Sequence, residues 1–146
     1  MISNSAPSKQ SQTKKKVLIV DDTPQVRQDL RQLLELTGLF EIVAEAADGL
    51  EAVQQANALS PDAVVLDLVM PNLDGYEVTR LIKAQNPSTR VIILSAYGGH
   101  EEIERALAAG ADGFVMKGER YEILVDEILN VKTPHNSYIS KKGEGS

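Results

Sequence analysis

Three carboxylates follow two short apolar runs and could act together on a phosphoryl group. Asp21 and Asp22 follow the run Val17–Val20, and Asp67 follows the run Ala63–Leu66. If both runs are strands of one parallel sheet, the carboxylates meet at its carboxyl edge. Oxygen ligands without His or Cys favour Mg²⁺ or Mn²⁺, and Mg²⁺ suits phosphate substrates. The spacing therefore predicts a site for a divalent cation and a phosphoryl group.

Mutual repulsion gives this cluster a need for positive charge. Two carboxylates in close contact repel by roughly 4 kcal/mol at an effective dielectric near 20. The cluster therefore requires a cation or a raised pKa. The expected ligands are Asp21 or Asp22, Asp67 and a main-chain carbonyl just after Asp67. Asp21 and Asp22 could instead only cap the first helix, because acidic residues favour helix N-termini; Asp67 at a neighbouring strand end favours the metal site.

Two more apolar runs end in residues that suit a phosphoryl group. Ser95 follows Val91–Leu94, and Lys117 follows Phe114–Met116. A carboxylate such as Asp67 can attack phosphorus and form an acyl phosphate, while a metal neutralises charge on the phosphoryl oxygens. Lys117 would supply a second positive charge and Ser95 a hydroxyl hydrogen bond. Taken singly, each is an ordinary strand-end residue, so the interpretation rests on the set.

The elements that must position these residues are five β-branched runs that alternate with five amphipathic segments. Strands are predicted at 17–20, 40–44, 63–66, 91–94 and 113–116. Helices are predicted from Thr23-Pro24 to Gly38, from Asp48 to Ser60, from Asp74 to Asn86, at 99–109 and at 120–131. Continuous apolar strands indicate a parallel sheet that is covered on both faces. Strand–helix alternation implies right-handed crossovers, and so predicts an α/β fold with a doubly wound (βα)5 sheet of five parallel strands.

The helical segments also predict which side chains face the sheet. Thr23 is expected to cap the first helix, with Pro24 in its first turn. Apolar residues at helical spacing are expected to point inward. They are Val26, Leu30, Leu33 and Leu34; Leu50, Val53 and Ala56; Val78, Leu81 and Ile82; and Tyr121, Leu124, Val125 and Ile128. Met70 and Met116 are expected in or near the core.

Size and composition narrow the class of protein. The chain has 146 residues, a net charge of −6 and no cysteine. It suits one domain and argues against direct nucleic-acid binding, a thiolate nucleophile or a zinc–sulfur site. No apolar run approaches the roughly 18 residues that span a bilayer, and the polar start is unlike a secretory signal. We expect a flexible tail at 1–15, one domain at 16–131, a linker or tail at 132–146 and a cytoplasmic location.

The ordered set of motifs resembles the receiver domain of two-component response regulators, the CheY-like superfamily. The resemblance covers about residues 15–131. It rests on Val17 to Asp22, Asp67 with Met70-Pro71 and Asp74-Gly75, Ser95-Ala96, and Gly113 to Lys117. It implies a flavodoxin-like strand order 2-1-3-4-5 and a phosphoryl transfer to Asp67 from a sensor histidine kinase or phosphotransfer protein. It also implies Mg²⁺ bound by Asp21, Asp22, Asp67 and the main-chain carbonyl of Val69.

The resemblance further implies a switch and a set of partners. Ser95 and Phe114 would form the switch pair, with the hydroxyl moving toward the phosphoryl group and the ring turning inward. The fourth helix, fifth strand and fifth helix would then form the output surface. The implied partners are a second copy of the chain on phosphorylation, an output protein or a DNA-binding domain. Such a receiver is a phosphoacceptor rather than an enzyme, with only self-catalysed phosphotransfer and dephosphorylation.

One departure refines the resemblance. Many receivers have a cis-proline after the lysine, but Gly118 stands there. A non-proline cis bond costs roughly 2.5–4 kcal/mol, so we expect a trans peptide or a rearranged loop. With a non-proline residue after the lysine, this chain resembles the receivers of LuxR-type DNA-binding regulators. Residues Asn136 to Ser140 resemble the interdomain linker of those regulators. Whether the receiver stands alone or belongs to a longer regulator stays open.

Three other functions compete with a working receiver. A haloacid-dehalogenase-type phosphatase requires a second acid two residues beyond the nucleophile. This chain has Val69 there, which cannot donate a proton. A dinucleotide-binding domain requires a glycine-rich turn after the first strand. This chain has Asp21 and Asp22 there, which would repel a pyrophosphate. A pseudo-receiver that acts only as a protein-interaction module is the third alternative, and the complete acidic set argues against it.

Overall fold

The computed structural model describes residues 13–131, in which five strands alternate with five helices. The strands are β1 (Lys15–Val20), β2 (Phe40–Ala46), β3 (Ala63–Leu66), β4 (Arg90–Ser95) and β5 (Gly113–Met116). The helices are α1 (Pro24–Leu36), α2 (Gly49–Leu59), α3 (Gly75–Gln85), α4 (His100–Ala108) and α5 (Tyr121–Leu129). The predicted tail or linker at 132–146 lies outside the described residues, as do residues 1–12 of the predicted tail at 1–15; Lys15, the last residue of that tail, belongs to β1.

The sheet has the predicted order and direction. Its strands run β2-β1-β3-β4-β5, and every neighbouring pair is parallel. The helices cover both faces and enclose a separate apolar cluster on each. The central strand β3 is buried along its whole length, as a parallel strand between two helical layers must be. The predicted doubly wound (βα)5 fold is confirmed.

The bounds of the strands agree closely with the sequence pattern. β3 and β5 have the predicted ends, while β1 begins at Lys15 and β2 continues to Ala46. The two strands pair from Lys15 with Phe40 to Val20 with Ala46, with a shift of register between Val17 and Leu18. Backbone hydrogen bonding therefore lengthens both strands beyond the residues whose side chains show the apolar pattern.

The helix caps confirm two sequence predictions and correct a third. Asp48 and Asp74 cap α2 and α3, and each side chain accepts a hydrogen bond from an N–H three residues later. Thr23 occupies the N-cap position of α1, but its side chain makes no capping bond. Its hydroxyl instead lies 3.4 Å from Asp22 Oδ1. Thr23 therefore has the predicted N-cap position, but the expected capping by its side chain is wrong, since no helical N–H donates to its hydroxyl oxygen.

Most of the predicted inward residues are buried, Val26, Val53 and Leu81 are half-buried, and three are exposed. Leu33 is 37% exposed, Leu50 is 53% exposed and Tyr121 is 43% exposed. Ala52, in place of Leu50, is fully buried on α2, because a small side chain lets the helix approach the sheet closely. Met70 and Met116 pack against the core, as expected.

The peptide after Lys117 is trans, since the described residues contain no cis peptide bond. Gly118 has a φ of +96°, a left-handed conformation that glycine adopts without strain. Within residues 13–131, none of the helices combines the length and apolar character that crossing a membrane would require.

Candidate metal and phosphoryl site

The three predicted carboxylates meet at the carboxyl edge of the sheet. One oxygen each from Asp21, Asp22 and Asp67 lies within 4.8 Å of the others. The cause is strand register: Val20 pairs with Leu66, so the residues that follow them emerge side by side. The Asp67 N–H donates to the Val20 carbonyl at 3.0 Å and carries the ladder one residue further.

Asp21 is the most firmly held of the three. Its residue is only 2% exposed. Oδ1 accepts from the Thr23 N–H at 2.9 Å, and Oδ2 lies 3.1 Å from Lys117 Nζ. Its main-chain carbonyl accepts from Arg27 at 2.6 Å. The side chain therefore turns toward the carboxylate cluster and bonds the N-cap residue, rather than capping the helical N–H groups of α1.

Asp67 is the central carboxylate and is only weakly held. It is 9% exposed, and Oδ1 receives one long hydrogen bond of 3.5 Å from the Val69 N–H. Lys117 Nζ lies 3.8 Å from Oδ2. Burial raises the pKa of Asp67, nearby Lys117 opposes that shift, and the charges of Asp21 and Asp22 add to it. A carboxylate that is buried, weakly bonded and beside like charges is poised to accept a cation or an electrophile.

Lys117 supplies the positive charge nearest these carboxylates. Its ammonium bridges Asp21 at 3.1 Å and Asp67 at 3.8 Å. Its main-chain N–H donates to the Ser95 carbonyl at 2.7 Å, which fixes it beside the end of β4. One ammonium against three carboxylates leaves a net charge of about −2 at pH 7, when all three are ionised.

Ser95 and Phe114 are buried on neighbouring strands. Each is only 1% exposed, and Phe114 pairs with Ile93, two residues before Ser95. The Ser95 hydroxyl oxygen accepts from the Tyr97 N–H at 3.1 Å. A methyl group at Gly98 would come within 3.2 Å of the Phe114 ring, so the loop after β4 packs directly on that ring. A movement of this loop would therefore change the packing around the Phe114 ring.

Two exposed side chains border the site. Val69 is 66% exposed and Tyr97 is 69% exposed. Both line a hollow that also includes Ser95, Asp74 and Tyr76. The Val69 N–H lies 3.5 Å from Asp67 Oδ1, so this hollow adjoins the carboxylate cluster.

Arg27 is the site residue that the sequence analysis missed. Its guanidinium bonds the Asp21 carbonyl from the second turn of α1. No local motif announces such a side-chain-to-backbone bond, because it depends on how α1 lies against the end of β1.

The donor set fits Mg²⁺. Carboxylate oxygens are the hard ligands that this ion prefers, and it usually keeps several waters while using one or two carboxylates. The three clustered carboxylates and their excess negative charge satisfy that requirement. Asp21, Asp22 and Asp67 are the side chains that could hold it, and the Val69 carbonyl remains the predicted main-chain ligand.

Comparison with known families agrees with this geometry. The model of the response regulator receiver domain matches residues 17–129, which include all five strands' carboxyl ends. The chain belongs to the response regulator receiver family. The receiver is therefore a module of two-component signal transduction, as its motifs predicted.

Three known proteins show which receivers this chain is similar to. It is 35% identical to a nitrate/nitrite response regulator homologue of Haemophilus influenzae over 82% of this chain and 58% of that protein. It is 40% identical to the chemotaxis protein CheY of Halobacterium salinarum over 82% of this chain and 98% of that protein. A LuxR-family two-component response regulator from an Aurantimonas species superposes with a TM-score of 0.79 at 28% identity, covering 92% of this chain and all of that one. The chain thus spans little more than half of the Haemophilus regulator.

Proposed function

We propose that this receiver accepts a phosphoryl group on Asp67 from a phosphohistidine of a sensor kinase or phosphotransfer protein. The observation that carries the proposal is the meeting of three carboxylates and one ammonium at the carboxyl edge of the sheet. Bound Mg²⁺ would neutralise charge on the phosphoryl oxygens. The receiver is a phosphoacceptor rather than an enzyme with a separate substrate, and we place it in the cytoplasm with its kinase.

The chemistry proposed for Asp67 is a single displacement at phosphorus. A carboxylate oxygen attacks, the bond from phosphorus to the donor's histidine nitrogen breaks, and the electron pair returns to the imidazole. The product is an aspartyl phosphate. The raised pKa of Asp67 reflects a carboxylate that solvent stabilises poorly, which favours its reaction over its solvation.

Lys117 and Ser95 would bind the transferred group. Lys117 Nζ lies closer to Asp21 than to Asp67, so a phosphoryl group on Asp67 would draw the ammonium toward itself. Ser95 is buried at the adjacent strand end, where its hydroxyl can donate to a phosphoryl oxygen. That donation would change its present bond with the Tyr97 N–H and pull on the loop that packs against Phe114.

A groove next to Lys117 suits the phosphoryl donor. It lies between α1 and the β5–α5 connection, and its apolar lining includes Val26, Leu30 and Leu33. Its rim carries Asp29, Lys117, Glu119 and Arg120. A helix of a kinase or phosphotransfer protein could bury apolar side chains there and present its phosphohistidine to Asp67.

The output step would use the surface formed by α4, β5 and α5. Ser95, Gly98 and Phe114 connect the phosphoryl site to the surface formed by α4, β5 and α5. We propose that phosphorylation changes association through that surface, with a second receiver, an output protein or a DNA-binding domain as the partner. Direct nucleic-acid binding by this chain is not part of the proposal, given its net charge of −6.

The test of phosphoryl transfer is Mg²⁺-dependent labelling of the full chain by acetyl phosphate. Wild type should take up label only with Mg²⁺, and Asp67→Asn should take up none. Asp62→Asn is a matched control, since Asp62 lies on the opposite edge and accepts from Lys16 N–H. Full labelling of Asp67→Asn would contradict the assignment. A wild type that cannot be labelled would support the pseudo-receiver alternative.

Metal binding can be tested separately from transfer. Asp21→Asn and Asp22→Asn each remove a hard oxygen ligand and relieve repulsion within the cluster. We expect Mg²⁺ affinity to fall in each variant, while thermal stability without metal rises or holds. A Mg²⁺ titration that is unchanged in both variants would count against the ligand assignment.

The switch is tested with beryllofluoride, an acyl-phosphate mimic. Treated wild type should show changed amide resonances along α4, β5 and α5, or a changed solution mass. Identical spectra and mass before and after treatment would exclude the proposed switch, even if Asp67 is labelled.

A further inference from the structure

Arg27 joins three elements at the acidic edge through one guanidinium. Nη1 donates to the main-chain carbonyl of Asp21 at 2.6 Å. Nε donates to Glu45 Oε1 on β2 at 3.1 Å. The Arg27 side chain is only 17% exposed, so these bonds are partly shielded from water. The guanidinium therefore ties α1 and β2 to the backbone just after β1.

The bond to the Asp21 carbonyl bears on Asp22 rather than on the Asp21 carboxylate. The Asp21 side chain is already held by the Thr23 N–H and Lys117. The carbonyl, however, belongs to the peptide unit that leads into Asp22. The orientation of that peptide unit sets the direction in which the Asp22 side chain leaves the backbone.

Asp22 has little other support. It is exposed, and its carboxylate accepts a long hydrogen bond of 3.4 Å from the Thr23 hydroxyl. An exposed side chain with so weak a bond changes rotamer readily, so the direction of its Cα–Cβ bond, which the backbone sets, decides where its oxygens lie on average. Its oxygen nonetheless lies with those of Asp21 and Asp67 in the cluster.

We propose that Arg27 is a positioning residue for the metal site, which holds the peptide between Asp21 and Asp22 so that Asp22 points into the carboxylate cluster. This rests on the proposed function, in which these carboxylates bind Mg²⁺. Outer residues that orient metal ligands typically change metal affinity about 10- to 100-fold when they are removed. Arg27 does so through the main chain, without touching the ion.

Glu45 holds the guanidinium of Arg27, and its second partner, Arg31, provides a matched control for a substitution of Arg27. Its second oxygen accepts from Arg31 Nε at 2.7 Å. The hydrogen bond from Arg31 is the largest cause that lowers the pKa of Glu45, so the carboxylate stays charged at neutral pH. Arg31 shares the Glu45 partner, but its other bond runs to Glu35 at 3.1 Å and not to the acidic edge.

The experiment compares Arg27→Gln with Arg31→Gln in the full chain by Mg²⁺ titration. Arg27→Gln should raise the Mg²⁺ dissociation constant about tenfold, whereas Arg31→Gln should change it less than about twofold. A merely structural role would lower the melting temperature of both variants and leave their dissociation constants alike. Without metal, the amide resonance of Asp22 should shift in Arg27→Gln and stay in place in Arg31→Gln.

Arg27→Lys extends the test and guards against a variant that fails to fold. Lysine keeps the charge but cannot bond the Asp21 carbonyl and Glu45 in the same planar geometry, so partial recovery of Mg²⁺ affinity is expected. Equal dissociation constants for wild type, Arg27→Lys and Arg27→Gln would overturn the inference. If wild type itself binds no Mg²⁺, the proposed function fails and takes this inference with it; unchanged binding in the Arg27 variants alone overturns only the role of Arg27.

Discussion

The two edges of the sheet differ in whether their charged side chains have partners of opposite charge. At the amino edge, the side chains of Lys83, Arg90 and Asp112 are matched with partners of opposite charge and with main-chain groups. At the carboxyl edge, three carboxylates face one ammonium. Both edges belong to the same strands and the same helical layers, so the difference does not come from the fold.

The amino edge is built around Lys83. Its ammonium bonds Asp112 Oδ2 at 2.9 Å and the carbonyls of Pro87 and Thr89 at 3.0 and 2.9 Å. Asp112 Oδ2 also accepts from the Val91 N–H at 2.9 Å. Arg90, nearby, donates twice to the Glu127 carbonyl. These bonds close the ends of β4, β5 and α5 and contribute to stability.

At the carboxyl edge, the negative charges are not matched in this way. Asp67 has one long hydrogen bond of 3.5 Å and a raised pKa, and Asp22 is exposed. Excess negative charge of this kind destabilises the folded chain, but it creates affinity for a cation and room for a phosphoryl group. The comparison teaches that an unmatched charge in a well-matched fold marks the functional edge.

The largest expected effect is that of Lys117→Met on phosphoryl uptake. Loss of one charge that stabilises a developing anion lowers rates about 10²- to 10³-fold. Labelling by acetyl phosphate at saturating Mg²⁺ measures the effect. Lys83→Met serves as the control at the other edge and should label at the wild-type rate per folded molecule. An equal loss in both variants would erase the functional distinction between the edges.

Lys83→Met should have the larger effect on stability. It leaves the partly buried Asp112 carboxylate and two carbonyls without their shared donor, at a cost of about 2 kcal/mol in the free energy of unfolding. Urea denaturation measures this cost, and added Mg²⁺ should not restore it. Recovery of Lys83→Met by Mg²⁺ would mean that the two edges are coupled.

A smaller effect is expected on the lifetime of the phosphorylated state. Val69 offers no hydrogen bond to orient a water, and Tyr97 is bulky enough to obstruct its approach. The double variant Val69→Asn, Tyr97→Ser should therefore lose its label faster, about tenfold for each 1.4 kcal/mol removed from the barrier. Decay of labelled protein in Mg²⁺ buffer measures the rate, with Tyr121→Ser as an exposed-tyrosine control. A wild type that decays as fast as the double variant contradicts this role.

The smallest effect concerns the pH dependence of stability without metal. Burial raises the pKa of Asp67 above its ordinary value of 3.8, so the unfolded chain ionises first as pH rises. The free energy of unfolding should therefore fall as pH rises from about the ordinary value through the raised pKa, and then level off. Asp67→Asn should remove that fall and be more stable than wild type above the window, on the order of 1 kcal/mol. Urea denaturation from pH 3.5 to 7 tests the sign, and a difference that shrinks with rising pH would contradict it.

The sequence alone determined the fold and the membership of the acidic edge. Apolar runs that end in Asp21, Asp67 and Lys117 define parallel strands, and parallel strands bring their carboxyl ends to one edge. Strand β3 has the predicted ends because a buried strand shows its full length in its side chains. The meeting of the three carboxylates follows from the same local pattern.

Tertiary structure alone decided how those residues are held and which side chains the helices bury. Leu33, Leu50 and Tyr121 match an apolar helix face but are exposed, because helical spacing marks an apolar face and only packing decides how much of that face is covered. Lys117 lies nearer Asp21 than Asp67, although Asp67 follows β3, the strand nearer to β5. The bond from Arg27 to the Asp21 carbonyl has no sequence signature, because a main-chain acceptor is the same at every residue and only packing selects which one a guanidinium reaches.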